Sequence, residues 1–133
     1  MADSPYTFIK SEADIQPFRT AVHGLHDGYI THVEYEHTGI TAHENCLYFD
    51  DSKRRLILHI YVTSLPGHPT VELLFQGVTE WQIKDSSYDI VDCSVLRLEN
   101  GMLLWADDNT PSIAELKCGS YVIAASIAYR QLS

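Results

Sequence analysis

Residues Gly24 to His37 read GLHDGYITHVEYEH and contain the first strand that the sequence predicts, over 29–36. Successive side chains of a strand point to opposite faces, so Val33 and Tyr35 are predicted to face a core. The opposite face then carries a polar row of His32, Glu34 and Glu36. The stretch therefore predicts a half-buried sheet, and it places polar, titratable residues where that sheet begins.

The residues just before this strand, His26-Asp27-Gly28, form a turn signal, because aspartate can bond to the backbone ahead and glycine allows positive φ. Two interpretations are open for the polar residues here. A metal or acid–base cluster would combine His26, Asp27, His32 and Glu34. Alternatively, they form a turn followed by the solvated face of a half-buried strand. The second interpretation is favoured, because the spacing from His26 to His32 is not a characteristic metal-binding spacing.

Glu12 to Val22 is the one helix that the sequence predicts. Ser11 is a suitable cap, with Asp14 at the third helical position. The apolar residues of this segment recur at helical spacing: Ile15, Phe18 and Val22. Proline is tolerated in a first turn, so the helix is predicted to begin near Pro17, and Gly24 is predicted to end it.

Four further segments are predicted as strands. Asn45 to Phe49 is a short strand, and Arg55 to Thr63 is a central one because both of its faces are largely apolar. Thr70 to Lys84 is interrupted by Gly77, which predicts one long bent strand or two short ones. Tyr121 to Leu132 is a final strand with one side formed by Tyr121, Ile123, Ala125, Ile127 and Tyr129. Its small residues on the other side would let the helix or a second subunit pack closely: Ala124, Ser126 and Ala128.

Asn100-Gly101 separates two apolar segments, 88–99 and 102–106, and predicts a β-hairpin with a two-residue turn. In the resulting register Leu96 is opposite Trp105 and Leu98 is opposite Leu103. All four are then predicted to share the core face. Residues 113–118 fit either a strand or a single helical turn, and the turn is favoured.

The fold class follows from these elements. About eight short strands, one short N-terminal helix and no βαβ rhythm predict an all-β, mainly antiparallel β-sandwich or partly open barrel. The 133 residues predict a single domain over 1–133, in which residues 1–10 form a tail or an edge segment.

The formal net charge of −9 comes from 18 acidic and 9 basic residues. Binding to a phosphate backbone needs clustered lysines and arginines, and the chain has one such cluster, Lys53-Arg54-Arg55. We therefore expect no nucleic-acid binding. An acidic surface serves solubility or attracts a basic partner.

The N-terminal segment lacks the basic and apolar regions of a signal peptide, and no run of about 18 apolar residues occurs, so we expect no membrane association. Cys46, Cys93 and Cys118 are odd in number and widely spaced, which favours reduced cysteines. These features predict a cytoplasmic protein.

Three classes of function are compatible with this sequence. An enzyme would use scattered acid–base residues, namely His26, Asp27, His32 and Glu34, with His43 or His59. A ligand-binding barrel would be lined by Tyr61, Trp81, Tyr88, Trp105 and Tyr129. A protein-binding module would present carboxylates to a basic partner: Glu34, Glu36, Asp50, Asp51, Asp107 and Asp108. No GxSxG, HExxH or P-loop pattern appears, so an enzyme would have to build its site from these scattered positions. The binding module is favoured by the acidic charge balance and by a family resemblance.

Three segments together resemble small bacterial all-β proteins of domain-of-unknown-function families, some of which are grouped with toxin-system immunity proteins. The segments are LHDGYITHVEYE (Leu25 to Glu36), FQGVTEWQI (Phe75 to Ile83) and SYVIAASIAYRQ (Ser120 to Gln131). The resemblance implies a bacterial cytoplasmic protein that binds another protein. It brings no catalytic residues and does not account for the number of histidines.

The sequence thus favours a non-enzymatic domain that masks a basic partner, with a small-ligand barrel or a His/Asp/Glu-based metal-dependent enzyme as alternatives. The predicted binding residues are His26, Asp27, His32, Glu34, Glu36, Asp107 and Asp108. No catalytic residue, metal or cofactor is predicted. A homodimer is compatible with the alanine-serine face of the final strand or with an unprotected edge strand.

Overall fold

The computed structural model of this chain describes residues 4–84, 90, 93–107 and 119–132. Within these residues the chain forms eleven strands, one α-helix and three single turns of 3-10 helix. The helix α1 spans Ile15–Val22. The strands are β1 (Thr7–Ile9), β2 (Gly28–His37), β3 (Ile40–His43), β4 (Cys46–Phe49), β5 (Arg54–Val62), β6 (Thr70–Gln76), β7 (Glu80–Gln82), β8 (Ser94–Arg97), β9 (Leu103–Ala106), β10 (Tyr121–Ala124) and β11 (Ser126–Leu132).

Two sheets enclose the core. One has five strands in the order β1-β11-β6-β5-β2, the other has four in the order β7-β10-β9-β8, and their pairings are antiparallel. Side chains of both sheets meet in one apolar cluster, where the rings of Phe75 and Trp105 lie 6.1 Å apart. The structure is therefore a mainly antiparallel β-sandwich with one short helix, which confirms the predicted fold class.

The helix α1 forms where its sequence signals predict it. The backbone N–H of Ser11 donates to Oδ2 of Asp14 at 3.1 Å, which caps the turn that leads into the helix. Phe18 is fully buried and meets the ring of Tyr129 edge-on, with centroids 4.9 Å apart. His23 follows the helix with φ +57° and ends it one residue before Gly24. One apolar face thus fastens the helix to β11.

The strand β5 lies between β6 and β2, as its two apolar faces predict. Alternate residues on its inner face are fully buried: Leu56, Leu58, Ile60 and Val62. The outer face carries Ile57, His59 and Tyr61, which retain more exposure. β5 therefore supplies the centre of the core on one side and a polar and aromatic surface on the other.

Two predicted long strands change sheets at one corner. Residues 70–84 form β6 in the five-stranded sheet and β7 in the four-stranded sheet, with Gly77 between them at φ +68°. Residues 121–132 form β10 and β11 in the same two sheets, with Ala125 between them. The backbone N–H of Ala125 donates to the carbonyl of Gln76 at 3.0 Å, so the two crossings touch. Both splits add to the number of strands, which exceeds the predicted eight.

This corner overturns the predicted faces of the final strand. The side chains of residues 121–132 do not alternate between two faces without interruption, because the chain changes sheets at Ala125. Before the corner Val122 and Ala124 enter the main core, and after it Ile127 does. The side chains of Ala124 and Ala128 therefore do not share a surface for the helix, which contacts Tyr129 instead.

The β8–β9 hairpin differs from the predicted register by one residue. Leu96 pairs with Leu104 and Val95 pairs with Trp105. The loop is one residue longer than predicted, because the N–H of Leu98 donates to the carbonyl of Met102 at 2.8 Å and Gly101 takes φ +84°. Leu96 is exposed as a result, and Leu98 packs outside the main core with three buried residues: Leu104, Ala106 and Tyr121.

Val33 and Tyr35 face the core side of the sheet, as predicted, but they are not buried there. They pair with the fully buried Leu58 and Leu56, so they share the inner face of the sheet. However, β2 is the outermost strand of that sheet, and Val33 and Tyr35 remain 39% and 37% exposed. Side-chain alternation predicts the face of a residue but not its distance from the sheet edge.

The predictions for Tyr88, Asp108 and residues 113–118 fall outside the described residues. In the part of the chain that the structure describes, no helix is long and apolar enough to span a membrane.

Candidate functional site

The β3–β4 hairpin stands apart from both main sheets as a two-stranded ribbon. Glu44 and Asn45 form its turn between the paired residues His43 and Cys46, and Glu44 takes φ +57°. At the other end the N–H of Asp50 donates to the carbonyl of Gly39 at 2.8 Å. All eight residues of the two strands are exposed. The ribbon therefore presents both of its faces to the outside.

One face of this hairpin is apolar throughout. Ile40 pairs with Phe49 and Ala42 pairs with Leu47, and residues paired across antiparallel strands share a face. Ile40, Leu47 and Phe49 are 49%, 60% and 62% exposed. A two-stranded ribbon cannot bury its own face, and clustered exposed apolar side chains mark interaction sites. This apolar face is the main candidate surface for a partner.

Carboxylates lie at both ends of the hairpin. Glu44 lies at its tip, and Asp50 and Asp51 follow β4 directly. The side chains of Glu44 and Asp51 are highly exposed. Hydrogen bonds from the hydroxyl and backbone N–H of Ser52 hold the pKa of Asp50 below its ordinary value, which keeps this carboxylate charged near neutral pH. Both ends of the hairpin therefore carry carboxylates, and Lys53 and His37 lie near those at its base.

Two members of the basic cluster Lys53-Arg54-Arg55 hold partners within the fold. A nitrogen of Arg55 lies 2.6 Å from the carboxylate of Glu36. Arg54 donates to the hydroxyl of Tyr35 at 2.7 Å and to the carbonyl of Thr79 at 3.3 Å. The cluster therefore fastens β5 to β2 and to the segment before β7.

The predicted binding residues His26 and Asp27 lie in the turn before β2. Their side chains approach to 3.5 Å and are both about half exposed. The backbone of Asp27 is used structurally: its N–H donates to the carbonyl of Ile90 at 2.8 Å, and its carbonyl accepts the hydroxyl of Thr63 at 2.9 Å. These contacts describe a turn that ties β2 to its neighbours.

His32 and Glu34 lie beyond this turn, on the outer face of β2. Their side chains are half exposed, with His32 Nε2 3.9 Å from Glu34 Oε1. The ring of His32 lies against that of His59 on β5, with centroids 4.7 Å apart. His32 therefore takes its ring partner from the neighbouring strand. In the described residues, no group of three or more His, Cys, Asp or Glu side chains could hold a metal ion.

A buried network on the same outer face was not predicted. Glu72 of β6 is 5% exposed, and its Oε1 lies 3.3 Å from Nε2 of His59. Its Oε2 accepts hydrogen bonds from the hydroxyl of Tyr6, at 3.0 Å, and from Nε of Arg130. Burial alone would raise the pKa of Glu72, but the hydrogen bonds from Arg130, Tyr6 and His59 outweigh it, so the pKa lies below its ordinary value.

The network joins three strands and the N-terminal segment. Strand register places His59 opposite Glu72 and Glu72 opposite Arg130. The guanidinium of Arg130 also lies over the ring of Tyr6, 4.2 Å from its centroid. Both carboxylate oxygens of Glu72 are occupied by these contacts. The arrangement is suited to holding the segment before β1 on the sheet.

Asp107 follows β9, which belongs to the four-stranded sheet. Its N–H donates to the carbonyl of Ser120 at 3.0 Å. A Cβ on Gly119 would lie 2.5 Å from Asp107 Oδ1, so glycine leaves room for this carboxylate. Asp107 therefore belongs to the connection between β9 and β10. Asp108 is outside the described residues.

The sequence contained a partial signal for the hairpin. Asn45 to Phe49 was predicted as a strand, but its partner Ile40–His43 was not, because the turn at Glu44-Asn45 lacks the usual glycine. No comparable signal existed for Glu72 and Arg130, which are 58 residues apart and meet only through strand pairing.

No known family model, curated protein or solved structure matches the chain. The two candidate regions are therefore distinguished by their own geometry. The Glu72 network satisfies its charged groups internally, whereas the apolar face of the β3–β4 hairpin is exposed. The hairpin is the surface better suited to contact another molecule.

Proposed function

We propose that this chain is a non-enzymatic binding domain for a basic protein partner, and that the β3–β4 hairpin is its main contact surface. The observation that carries this proposal is the exposed apolar face of the hairpin, with Leu47 and Phe49 each at least 60% exposed. Large side chains at the centre of an interface supply most of the binding free energy. The hairpin offers such side chains on a projecting element.

Charge supports a basic partner. The chain carries a formal net charge of −9, and Glu44, Asp50 and Asp51 lie at the two ends of the hairpin. Complementary charge speeds the encounter of two proteins and disfavours partners of the same sign. A partner with an apolar patch inside a ring of lysines and arginines would fit this surface.

The proposal agrees with what the resemblance to immunity proteins implies, namely masking of another protein in the bacterial cytoplasm. Cys46 is an exposed thiol, which fits a reducing compartment. In this proposal the domain neutralises a basic partner by covering its surface.

The ligand-barrel alternative has less support. Trp105 is buried within the packed core, whereas Tyr61 is exposed on the outer face of the sheet. A surface groove of about 490 Å³ lies against the N-terminal segment, α1 and β11. Among the described aromatic residues proposed to line a barrel, Tyr129 lines this groove. The described aromatic residues therefore do not surround one common cavity.

The proposal predicts that the hairpin is necessary for partner binding. We would capture partners with the tagged protein at low salt, identify them by mass spectrometry and measure the affinity of the purified partner. Replacing Leu47→Ser and Phe49→Ser together should weaken binding by at least about 2 kcal/mol, because both side chains would lie at the centre of the interface. High salt should weaken it further by screening the carboxylates.

Leu96→Ser is the matched control, because Leu96 is an exposed leucine in the four-stranded sheet, outside the hairpin. It should bind like the wild type. Circular dichroism should show that all variants are folded, since none of the three side chains is buried. Equal affinity of the hairpin double variant and the Leu96→Ser variant would contradict the proposed contact surface.

A further inference from the structure

The strand β2 forms an unusually long edge of the sandwich. It lies at the end of the five-stranded sheet, where it pairs with β5, and it contains 10 residues. The outermost strands β1, β7 and β8 contain 3, 3 and 4 residues. Natural edge strands are usually short or covered, because an open edge is a template for another strand. β2 is therefore the outermost strand with the most backbone groups that another strand could pair with.

The pairing of β2 with β5 shows which backbone groups face away from the sheet. The N–H of Thr38 donates to the carbonyl of Lys53, so Thr38 faces β5. Residues of an antiparallel strand alternate in this respect, so the N–H and C=O groups of His37, Tyr35 and Val33 face outward. Among the described residues, no backbone hydrogen bond reaches these groups.

The beginning of the same edge is already used. The N–H of Ile90 donates to the carbonyl of Gly28 at 2.7 Å, and the register of β2 shifts between Ile30 and His32. A bulge of this kind locally interrupts pairing. The open part of the edge is therefore the regular segment 33–37, next to the base of the β3–β4 hairpin.

The side chains of this segment differ between its two faces. Val33 and Tyr35 lie on the inner face and are more than a third exposed. Tyr35 is held in place by Arg54 and by the ring of Trp81, whose centroid is 5.2 Å away. On the outer face, Glu34 presents a half-exposed carboxylate. An added strand would meet apolar groups on one face and a negative charge on the other.

We propose that the segment Val33–His37 receives an extended strand of the partner by antiparallel pairing, and that this strand alternates apolar and cationic residues. This inference rests on the proposed protein-binding function and specifies how the partner is held. Apolar side chains opposite Val33 and Tyr35 would complete the inner face, and lysines or arginines would contact Glu34 on the outer face. The net charge of −9 favours such a strand over a second copy of this chain.

The geometry predicts which backbone groups of the added strand are used. Val33 and Tyr35 direct their backbone groups outward, so the residues directly opposite them exchange hydrogen bonds with them. Those residues share the inner face, and they are therefore the apolar ones. The apolar residues of the partner strand should use their N–H groups, whereas its cationic residues should not.

A short synthetic peptide of alternating lysine and valine tests this with two matched N-methylated forms. Binding to the full chain is measured by fluorescence anisotropy. N-methylation of the valines should weaken binding about tenfold or more, because it removes hydrogen bonds to β2. The same number of N-methyl groups on the lysines should change the affinity by less than about threefold. Amide exchange at Val33 and Tyr35 should slow when the unmodified peptide binds.

Val33→Pro provides a second test on the protein side. Its N–H faces outward, so the variant keeps the hydrogen bonds between β2 and β5, and folding is checked by circular dichroism. It should lose peptide binding. A peptide with glutamate in place of lysine should bind more weakly than the lysine peptide, and equal binding would overturn the charge preference.

Equal affinity of the two N-methylated peptides, or no binding of the lysine–valine peptide, would overturn strand addition. The proposed function would stand in that case if the hairpin double variant still lost its captured partner. Conversely, strand addition with a partner that is indifferent to the hairpin variant would overturn the hairpin as the main contact surface. Protection of the Val33 and Tyr35 amides by dimerisation of the chain alone would overturn the choice of partner.

Discussion

Glu72 shows how much a single buried carboxylate can organise on the surface of a sheet. It accepts hydrogen bonds from Tyr6 and Arg130 and lies 3.3 Å from His59, so it links β11, β6 and β5 with the N-terminal segment. Charge-assisted hydrogen bonds are stronger than neutral ones, and a buried charge without partners is costly. The contribution of Glu72 to stability should therefore depend on its ionised form.

We predict that Glu72→Gln lowers the free energy of unfolding by about 1–3 kcal/mol near neutral pH. The pKa of Glu72 is below its ordinary value of 4.5, so its stabilising effect is present above that value. The effect is lost as the pH falls through the lowered pKa. Urea unfolding at several pH values should show the two proteins converging in acid.

Glu34→Gln is the control for this prediction, because Glu34 is a half-exposed carboxylate near a histidine. It should change stability by less than about 0.5 kcal/mol. A constant difference between wild type and Glu72→Gln at every pH would show that the ionised form of Glu72 does not matter.

Residue-level prediction from the sequence succeeded where local pattern decides. Phe18 and Val22 were predicted on the apolar face of the helix, and both are buried. The exposure of Val33 and Tyr35 was not predictable, because alternation does not tell which strand lies at the edge. The contacts of Glu72 were missed because each partner comes from a distant part of the chain.

At the scale of elements, the corner at Gly77 and Ala125 determines how the two sheets connect. Gly77 has φ +68°, and a Cβ at this position would lie 2.8 Å from the Cβ of Ala125. Gly77 is therefore needed both for its backbone conformation and for the close approach of the second crossing. Gly67 also has a positive φ, +80°, but a Cβ there would meet no atom of the surrounding fold within 4 Å. Gly67 therefore has a backbone conformation like that of Gly77 but no close neighbour.

We predict that Gly67→Ala lowers the free energy of unfolding by about 1–2 kcal/mol, because a side chain is unfavourable at positive φ. Gly77→Ala should lower the free energy of unfolding by about 1–3 kcal/mol more than Gly67→Ala does, because Ala125 would also have to move. Chemical denaturation of both variants measures the difference. Equal losses of stability would show that the two crossings do not press against each other.

The sequence predicted elements well and pairings less well. The helix, the central strand β5 and the break at Gly77 were all recognised from local signals. The Asn100-Gly101 hairpin exists, but its loop is one residue longer than the dipeptide predicted, which shifts Leu96 to an exposed face. Turn chemistry indicates where a hairpin lies, and packing against the other sheet selects between neighbouring registers.

At the scale of the whole molecule, the two sheets share one core and are joined twice by continuous chain. Side chains of β5, β6, β9 and β10 belong to the same apolar cluster. Neither sheet can lose its partner without exposing the inner face of the other. This arrangement favours unfolding as one unit.

We predict that urea unfolding followed by tryptophan fluorescence coincides with unfolding followed by circular dichroism. Trp81 and Trp105 both lie in the four-stranded sheet, whereas circular dichroism reports on both sheets. The fitted midpoints should agree, and so should the dependence on urea. Two separated transitions would show that one sheet survives without the other.

The sequence by itself determined the fold class, the position of the helix, the central strand and an acidic charge balance. These properties follow from composition and from periodicity over a few neighbouring residues. Only the tertiary structure decided that β2 is the outermost described strand of its sheet, that the β3–β4 hairpin has an exposed apolar face, and that Glu72 gathers partners from three other segments. The physical reason is that exposure and contact depend on which distant strands become neighbours, and local patterns do not encode that choice.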